Sequence, residues 1–275
     1  MGRVRVSLSL DEMLVKEIDR GVDGINITSR SEAIERVLRE HVGKDRACVI
    51  LAGGPPANLF IPRLGRYRPL VDVGGKTLIE CIAERVSAAG IDTLIVVGSH
   101  EVNSKIFERI GNGEKQGVQI KYVEEEEHKG SAHSLKLAEQ FVEGPFLFIP
   151  CDHYFDFDLS KLWYFHRERH APVTLAVYAG ADYTWNKTSI VKMEGDSIVQ
   201  YWEKPSKAET HLTATLIGFA NPEIFGMIAI GGGSIESVFE RLSRKGKLNG
   251  FHVSGKFVNV HSAEDVERVK KLIRS

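Results

Sequence analysis

Val49-Ile-Leu-Ala-Gly-Gly54, followed by Pro55-Pro-Ala-Asn58, decides how the larger part of this chain folds. An apolar run that stops at a glycine pair is a strand feeding a tight turn, and such a turn can bring backbone N–H groups and a helix N-terminus close to a phosphate. Arg68-Pro-Leu-Val71 and Gly75-Lys-Thr-Leu-Ile-Glu80 come next. From there on, apolar strands alternate with helical stretches. The patterns predict strands at 48–52, 93–98, 119–123, 146–150 and 173–178, and helices at 77–89, 102–110, 132–141 and 159–170. That alternation predicts an α/β fold, a doubly wound mixed sheet with its ligand crevice at the carboxyl ends of the strands. Residues 173–260 carry more hairpin signal, including the turn at Gly195-Asp196, and 263–273 predict a closing amphipathic helix.

The chain has 275 residues, 36 Lys and Arg against 37 Asp and Glu, and a net charge of −1. That length allows one large α/β domain and a small one. The balance excludes a global polycation, so any nucleic-acid binding must come from a local patch. Cys48, Cys81 and Cys151 are widely spaced with no CxxC, which fits buried apolar roles in a reducing cytoplasm better than a disulfide or zinc site. No apolar run reaches membrane-spanning length and the N-terminus does not read as a signal peptide, so a cytoplasmic protein without a membrane partner is expected.

The first 45 residues read as a separate module. Residues 3–8 alternate, with Val4, Val6 and Leu8 on one face and Arg3, Arg5 and Ser7 on the other. Residues 11–22 place Met13, Leu14, Ile18 and Val22 on one helical face, and a second helix starts at Ser29, with Glu32 in capping-box position. One strand and two short helices cannot bury a core alone, so the strand needs a partner. This strand-helix-helix order resembles the ribbon-helix-helix repressors, in which two chains pair their strands into an antiparallel ribbon. The resemblance implies a homodimer whose outward residues Arg3, Arg5 and Ser7 read double-stranded DNA in the major groove. It also implies that the second helix turns its N-terminus, near Ser29 and Arg30, to a phosphate. The expected domains are therefore 1–45 and 46–275.

The remainder resembles the sugar-phosphate nucleotidyltransferases, which join a nucleoside triphosphate to a sugar 1-phosphate. Six stretches carry the likeness in order. They are the turn at 49–80, Gly130-Ser-Ala-His-Ser-Leu135, Phe146-Leu-Phe-Ile-Pro-Cys-Asp152, Glu203-Lys-Pro205, Ile217-Gly-Phe219 with Pro222-Glu-Ile-Phe225, and Phe257-Val-Asn-Val-His-Ser-Ala-Glu-Asp265. The resemblance implies that Ala52, Gly53, Gly54, Gly130 and Ser131 contact the nucleotide. It places Lys76, Glu203 and Gly218 at the sugar and its phosphate, and Arg68 and Lys204 in catalytic phosphate contacts. Asp152, with position 259, would bind Mg²⁺. Glu125 falls where relatives read a base edge. A carboxylate only accepts hydrogen bonds, which suits guanine or cytosine.

The chain departs from this pattern at two places. Pro56, Ala57 and Asn58 stand where the family writes Gly-Thr-Arg, which removes a cation and backbone donors from the phosphate loop, and Asn259 stands in place of the second carboxylate. Losing one preorganised charge costs roughly a hundred- to thousandfold in rate. Three readings follow, one of them a scaffold or interaction protein with neither activity. The first is a ligand-sensing DNA-binding regulator with weak or lost catalysis. The alternative is an active nucleotidyltransferase that uses Arg63, Arg66 or Arg68 for the missing charge and whose N-terminal module only dimerises.

Overall fold

Asp11 starts the first helix by accepting the Met13 N–H at 2.8 Å. The computed structural model describes residues 5–24, 27–42, 46–179 and 188–274, so Arg3 and Val4 lie outside the described residues. The chain divides into two units, Met1–Lys44 and Asp45–Ser275.

In the first unit, α1 (Glu12–Arg20) and α2 (Arg30–Val42) are joined by a turn in which Gly24, at φ +71°, returns its N–H to the Ile27 carbonyl. The cap of α2 is displaced by one residue from a standard capping box. Ser29 Oγ accepts the Glu32 N–H, while the Glu32 carboxylate reaches back to the N–H and hydroxyl of Thr28. A bidentate Asp19–Arg30 pair, both contacts at 2.7 Å, ties the helices together. Residues 5–10 carry no strand in the single chain, because a strand needs a hydrogen-bonding partner. Apolar side chains stay uncovered: Val6 is 70% exposed, Leu8 58% and Met13 68%.

The second unit is built on β1 (Ala47–Ala52), an almost wholly buried apolar strand. After it come α3 (Pro56–Leu59), the ribbon β2 (Phe60–Ile61) and β3 (Arg66–Tyr67), α4 (Leu78–Ala88), β4 (Thr93–Gly98), α5 (His100–Ile110) and β5 (Gln119–Glu124). The chain continues through α6 (Ser131–Lys136), β6 (Phe146–Pro150), β7 (His153–Phe155), α7 (Leu159–Arg169) and β8 (Val173–Ala179). The last elements are the hairpin β9 (Ser189–Glu194) and β10 (Ser197–Glu203), then β11 (Leu212–Ala220), α8 (Ile235–Arg244), β12 (Leu248–His252), β13 (Phe257–Asn259) and α9 (Ala263–Arg274).

The main sheet runs β5-β4-β1-β6-β11-β8-β12-β10-β9. Its first four strands are parallel, and β11 is antiparallel to β6, β8 and β9, which makes the sheet mixed. Successive residues of β1 serve opposite layers. Cys48 and Ile50 pack against α4, α5, α7 and α9, while Val49 packs with the side carrying α6 and α8. The three cysteines are free, and burial raises the thiols of Cys48 and Cys151. Among the described residues no helix is long and apolar enough to cross a membrane.

Two features of this topology position the site. The parallel pairing sets Leu51 beside Pro150, and the Cys151 N–H donates to the Leu51 carbonyl, so the glycine turn after β1 and Asp152 after β6 emerge side by side. Next to them, β13 pairs with β7 so that Asn259 faces His153, and the Val260 N–H donates to the Asp152 carbonyl.

Candidate functional site

A crevice of about 240 Å³ opens at the carboxyl ends of β1 and β6 and reaches across to β9, β10, β11 and the start of α8. The glycine turn forms its nucleotide-side wall. Ala52 is buried at the end of β1. At Gly53 a Cβ would stand 2.5 Å from Ser134 Oγ and 2.6 Å from Glu125 Oε2, so only glycine fits. Gly54 takes φ +106° and donates its N–H to Glu125 Oε2 at 2.7 Å. The same carboxylate accepts the Ser134 hydroxyl at 2.5 Å and lies 3.2 Å from His128 Nδ1, and its side chain is 1% exposed. Glu125, expected at a base edge, is committed to the glycine turn and Ser134. β5 ends so close to the turn that the carboxylate plugs the turn's own donor. The prolines complete the change: Pro55 and Pro56 start α3, a single helical turn with the Asn58 N–H bonded to the Pro55 carbonyl.

Gly130, at φ +98°, sits against a second glycine strap. A Cβ there would stand 2.3 Å from the Gly233 carbonyl, and the Ala132 N–H donates to that same oxygen. Ser131 Oγ accepts the Ile235 N–H at 2.9 Å and donates to Glu236 Oε2 at 3.3 Å. The strap thus couples the start of α6 to the start of α8.

The floor is Asp152. Arg68 Nη1 meets its Oδ2 at 2.9 Å, His153 Nδ1 its Oδ1 at 2.8 Å, and His261 Nε2 lies 3.4 Å from Oδ2. Burial alone would raise this carboxyl, but the hydrogen bonds and charges of His153 and His261 outweigh it and hold the group well below the usual carboxylate range. Arg68, expected at a phosphate, is committed to this carboxylate.

On the sugar side, Glu203 pairs with Lys204 at 3.1 Å and accepts the Ser189 hydroxyl. Lys204 has φ +44° just before Pro205, and Leu216 has φ +56° where the register of β11 shifts. Such conformations cost on the order of 1–3 kcal/mol each and concentrate at sites. Of the expected residues of this unit, Ala52, Gly54, Arg68, Lys76, Glu125, Gly130 and Gly218 fall outside the crevice lining. The Lys76 ammonium is held by both oxygens of Glu84 at 2.7 Å. Gly218 is packed in the sheet, where a Cβ would stand 2.5 Å from the Thr174 carbonyl, and the residue that faces the crevice is Leu216. Of the outward residues proposed for the first unit, Arg5 and Ser7 are exposed. Arg30 is taken by Asp19. The sequence reading missed Ser134, His261, Leu216 and Glu236; only Ser134 and His261 fall inside motifs that it singled out.

Residues 47–251 match the family described as nucleotidyl transferase. The chain belongs to that family. Residues 4–45 of the same chain match the ribbon-helix-helix protein, copG family. A mannose-1-phosphate guanyltransferase of Yarrowia lipolytica is 27% identical over 221 residues, covering 79% of this chain and 61% of that protein. A glucose-1-phosphate adenylyltransferase of Clostridioides difficile is 29% identical over 193 residues, covering 62% and 49%. This chain therefore spans between about half and three fifths of the length of these relatives. The structure of a UDP-glucose pyrophosphorylase complexed with UDP-glucose superposes with a TM-score of 0.70 at 17% identity, over 84% of this chain and 99% of that one, which is a likeness of fold.

Asp152 and Asn259, the residues expected to hold Mg²⁺, stand together through the pairing of β7 with β13. Magnesium needs hard oxygen ligands in near-octahedral array. Here one carboxylate is present, and a guanidinium and two imidazoles already face its oxygens. Asn259 adds a neutral amide whose buried Oδ1 has no hydrogen-bond partner among the described residues. No group of three or more His, Cys, Asp or Glu among the described residues could hold a metal ion.

Proposed function

We propose that the nucleotidyl transferase domain binds a nucleotide or nucleotide-sugar in this crevice and transfers nucleotidyl groups poorly. On this reading the ribbon-helix-helix module pairs with a second copy and binds double-stranded DNA, so the chain is a ligand-responsive cytoplasmic regulator. The observation that carries the reading is the buried Glu125 carboxylate on the Gly54 N–H. A donor suited to a triphosphate is already matched by a negative charge of the protein, in a loop that has also lost an arginine position and gained two prolines. No Mg²⁺-dependent step belongs to the reading. Uncovered Val6, Leu8 and Met13 support the pairing of two copies.

A second reading, an active NTP:sugar-1-phosphate nucleotidyltransferase whose N-terminal module only dimerises, is favoured by the Glu203–Lys204 pair at the crevice. One experiment separates the two. Pyrophosphate release is measured with four NTPs and common sugar 1-phosphates beside calorimetric binding of the same ligands. Binding without turnover is expected, and a rate of about 1 s⁻¹ or faster would promote the second reading. Asn259→Asp combined with a glycine-containing loop at 55–58 that includes Asn58→Arg is expected to raise pyrophosphate release above the parent. The DNA half is tested by genomic selection with the full chain at low salt. Recovery of an enriched sequence, lost on Arg3→Ala with Arg5→Ala while the dimer persists, is expected; recovery of none overturns that half.

A further inference from the structure

The sugar-side wall has an uneven charge balance. It carries two carboxylates, Glu203 and Glu236, and Lys204 is the one lysine or arginine among the described residues of the crevice lining. Glu203 has Lys204 and Ser189 as partners. The Glu236 carboxylate accepts from Ser131 Oγ at 3.3 Å and from its own backbone N–H, with no basic side chain at ion-pair distance among the described residues. Burial first, and the nearby Glu203 charge with it, raise the pKa of Glu236 against the effects of its own backbone N–H, Ser131 and Lys204. Thr213 Oγ1, on the same wall, is buried without a partner among the described residues. Buried polar groups are normally satisfied, so this wall has hydrogen-bonding capacity left for a ligand.

The kind of ligand follows from what Lys204 can do. An anionic phosphate entering the crevice attracts Lys204, and Glu203 and Glu236 are then left without a cation among the described lining residues. A neutral sugar brings hydroxyl donors but no charge. A protonated amine brings three donors and one positive charge to a carboxylate that has no cation at ion-pair distance among the described residues. We infer that the sugar-side subsite takes an amino sugar, as its 1-phosphate or nucleotide, with the ammonium against Glu236 and Thr213. The inference rests on the reading of the crevice as a nucleotide-sugar site.

The test is calorimetric titration of the full-length protein with glucosamine 1-phosphate, N-acetylglucosamine 1-phosphate and glucose 1-phosphate, with the four NTPs as a separate arm. One charge-assisted contact corresponds to about tenfold in affinity. Glucosamine 1-phosphate is expected to bind about tenfold more tightly than the acetylated and the neutral sugars. Glu236→Gln is expected to remove that ratio. Thr213→Val, a milder change, is expected to reduce the ratio. Equal binding of the three sugars, or a preference that survives Glu236→Gln, overturns the inference. Binding of an NTP with none of the three sugars bound overturns the inference alone, whereas no binding of any ligand overturns the nucleotide-sugar reading with it.

Discussion

Replacing Glu125 should lower stability and raise affinity for triphosphates at the same time. Its carboxylate accepts the Gly54 N–H at 2.7 Å and the Ser134 hydroxyl at 2.5 Å, with the side chain 1% exposed. Glu125→Gln keeps the volume and one acceptor oxygen but turns an NH₂ towards the second donor. One hydrogen bond to a charged group is lost, about 2 kcal/mol. In a domain of this size each kcal/mol moves Tm by about 2–4 °C, so a fall of about 4–8 °C is expected. Glu125→Ala strands both donors and opens a hole beside Gly53, for a loss of about 3–5 kcal/mol.

Affinity should move the other way. With the carboxylate gone, the Gly54 N–H is free for a phosphate oxygen and one repelling charge is removed. A single new N–H···O⁻ bond of about 1.5 kcal/mol corresponds to about tenfold. Calorimetric titration with the four NTPs at fixed ionic strength, beside scanning calorimetry of each variant, measures both quantities. An unchanged Tm in Glu125→Gln would mean that the two short contacts contribute nothing. A loss of affinity confined to guanine or cytosine nucleotides would show that Glu125 faces the base after all, and would refute the reasoning.

His166 is buried between α7, Thr174 and Asn221, and burial lowers its pKa to about 4, with the Asn221 hydrogen bond working in the opposite direction. The unfolded chain therefore binds the extra proton first. Its share of stability, about 3 kcal/mol, is present above the ordinary histidine pKa and is lost as pH falls from about 6.5 to 4, a slope that denaturant titrations should find flattened in His166→Gln. Gly130→Ala, at φ +98° with the Gly233 carbonyl 2.3 Å from the new Cβ, should cost about 3 kcal/mol, whereas Gly195→Ala, at φ +57° with nothing within 4 Å, should cost about 1 kcal/mol; equal Tm losses would contradict this account. Deleting residues 1–44 should convert a full-length dimer into a monomer by light scattering, and an unchanged assembly state would place the interface in the large unit.

The strands and helices of the large unit were legible because each is an apolar run closed by a recognisable stop, as at Gly53-Gly54 after β1 or the Thr77 and Glu80 cap of α4. The site was legible only where a residue's place follows from its own strand, as with Asp152 at the end of β6. Glu125 is one of four consecutive glutamates, and nothing local separates it from its neighbours. Its burial depends on β5 and β1 both pairing with β4. His261 reaches Asp152 only through the pairing of β13 with β7. Gly218 drew the sugar-side expectation from its place in Ile217-Gly-Phe219, where glycine allows close approach of a backbone. In β11 that tolerance serves the Thr174 carbonyl, and the shift in register leaves Leu216 in the left-handed region at the crevice.

The two departures that weaken the case for transfer have a common physical form. At Gly54 a carboxylate of the protein occupies a donor suited to a ligand phosphate. At Asp152 a guanidinium of the protein occupies an acceptor suited to a cation. Each internal group carries the same sign as the ligand group that it replaces, so the protein already matches charge at these two positions. On the proposed reading, a ligand gains only the difference between its own contacts and those it displaces. Displacing Glu125 or Arg68 also releases a side chain that is tied to β5 or to the ribbon segment. Binding would then be an exchange of partners, coupled to movement of those elements, and such coupling is what a regulator requires. The Glu125 variants test this directly, because a crevice relieved of its internal carboxylate should bind more tightly while its elements respond less to the ligand.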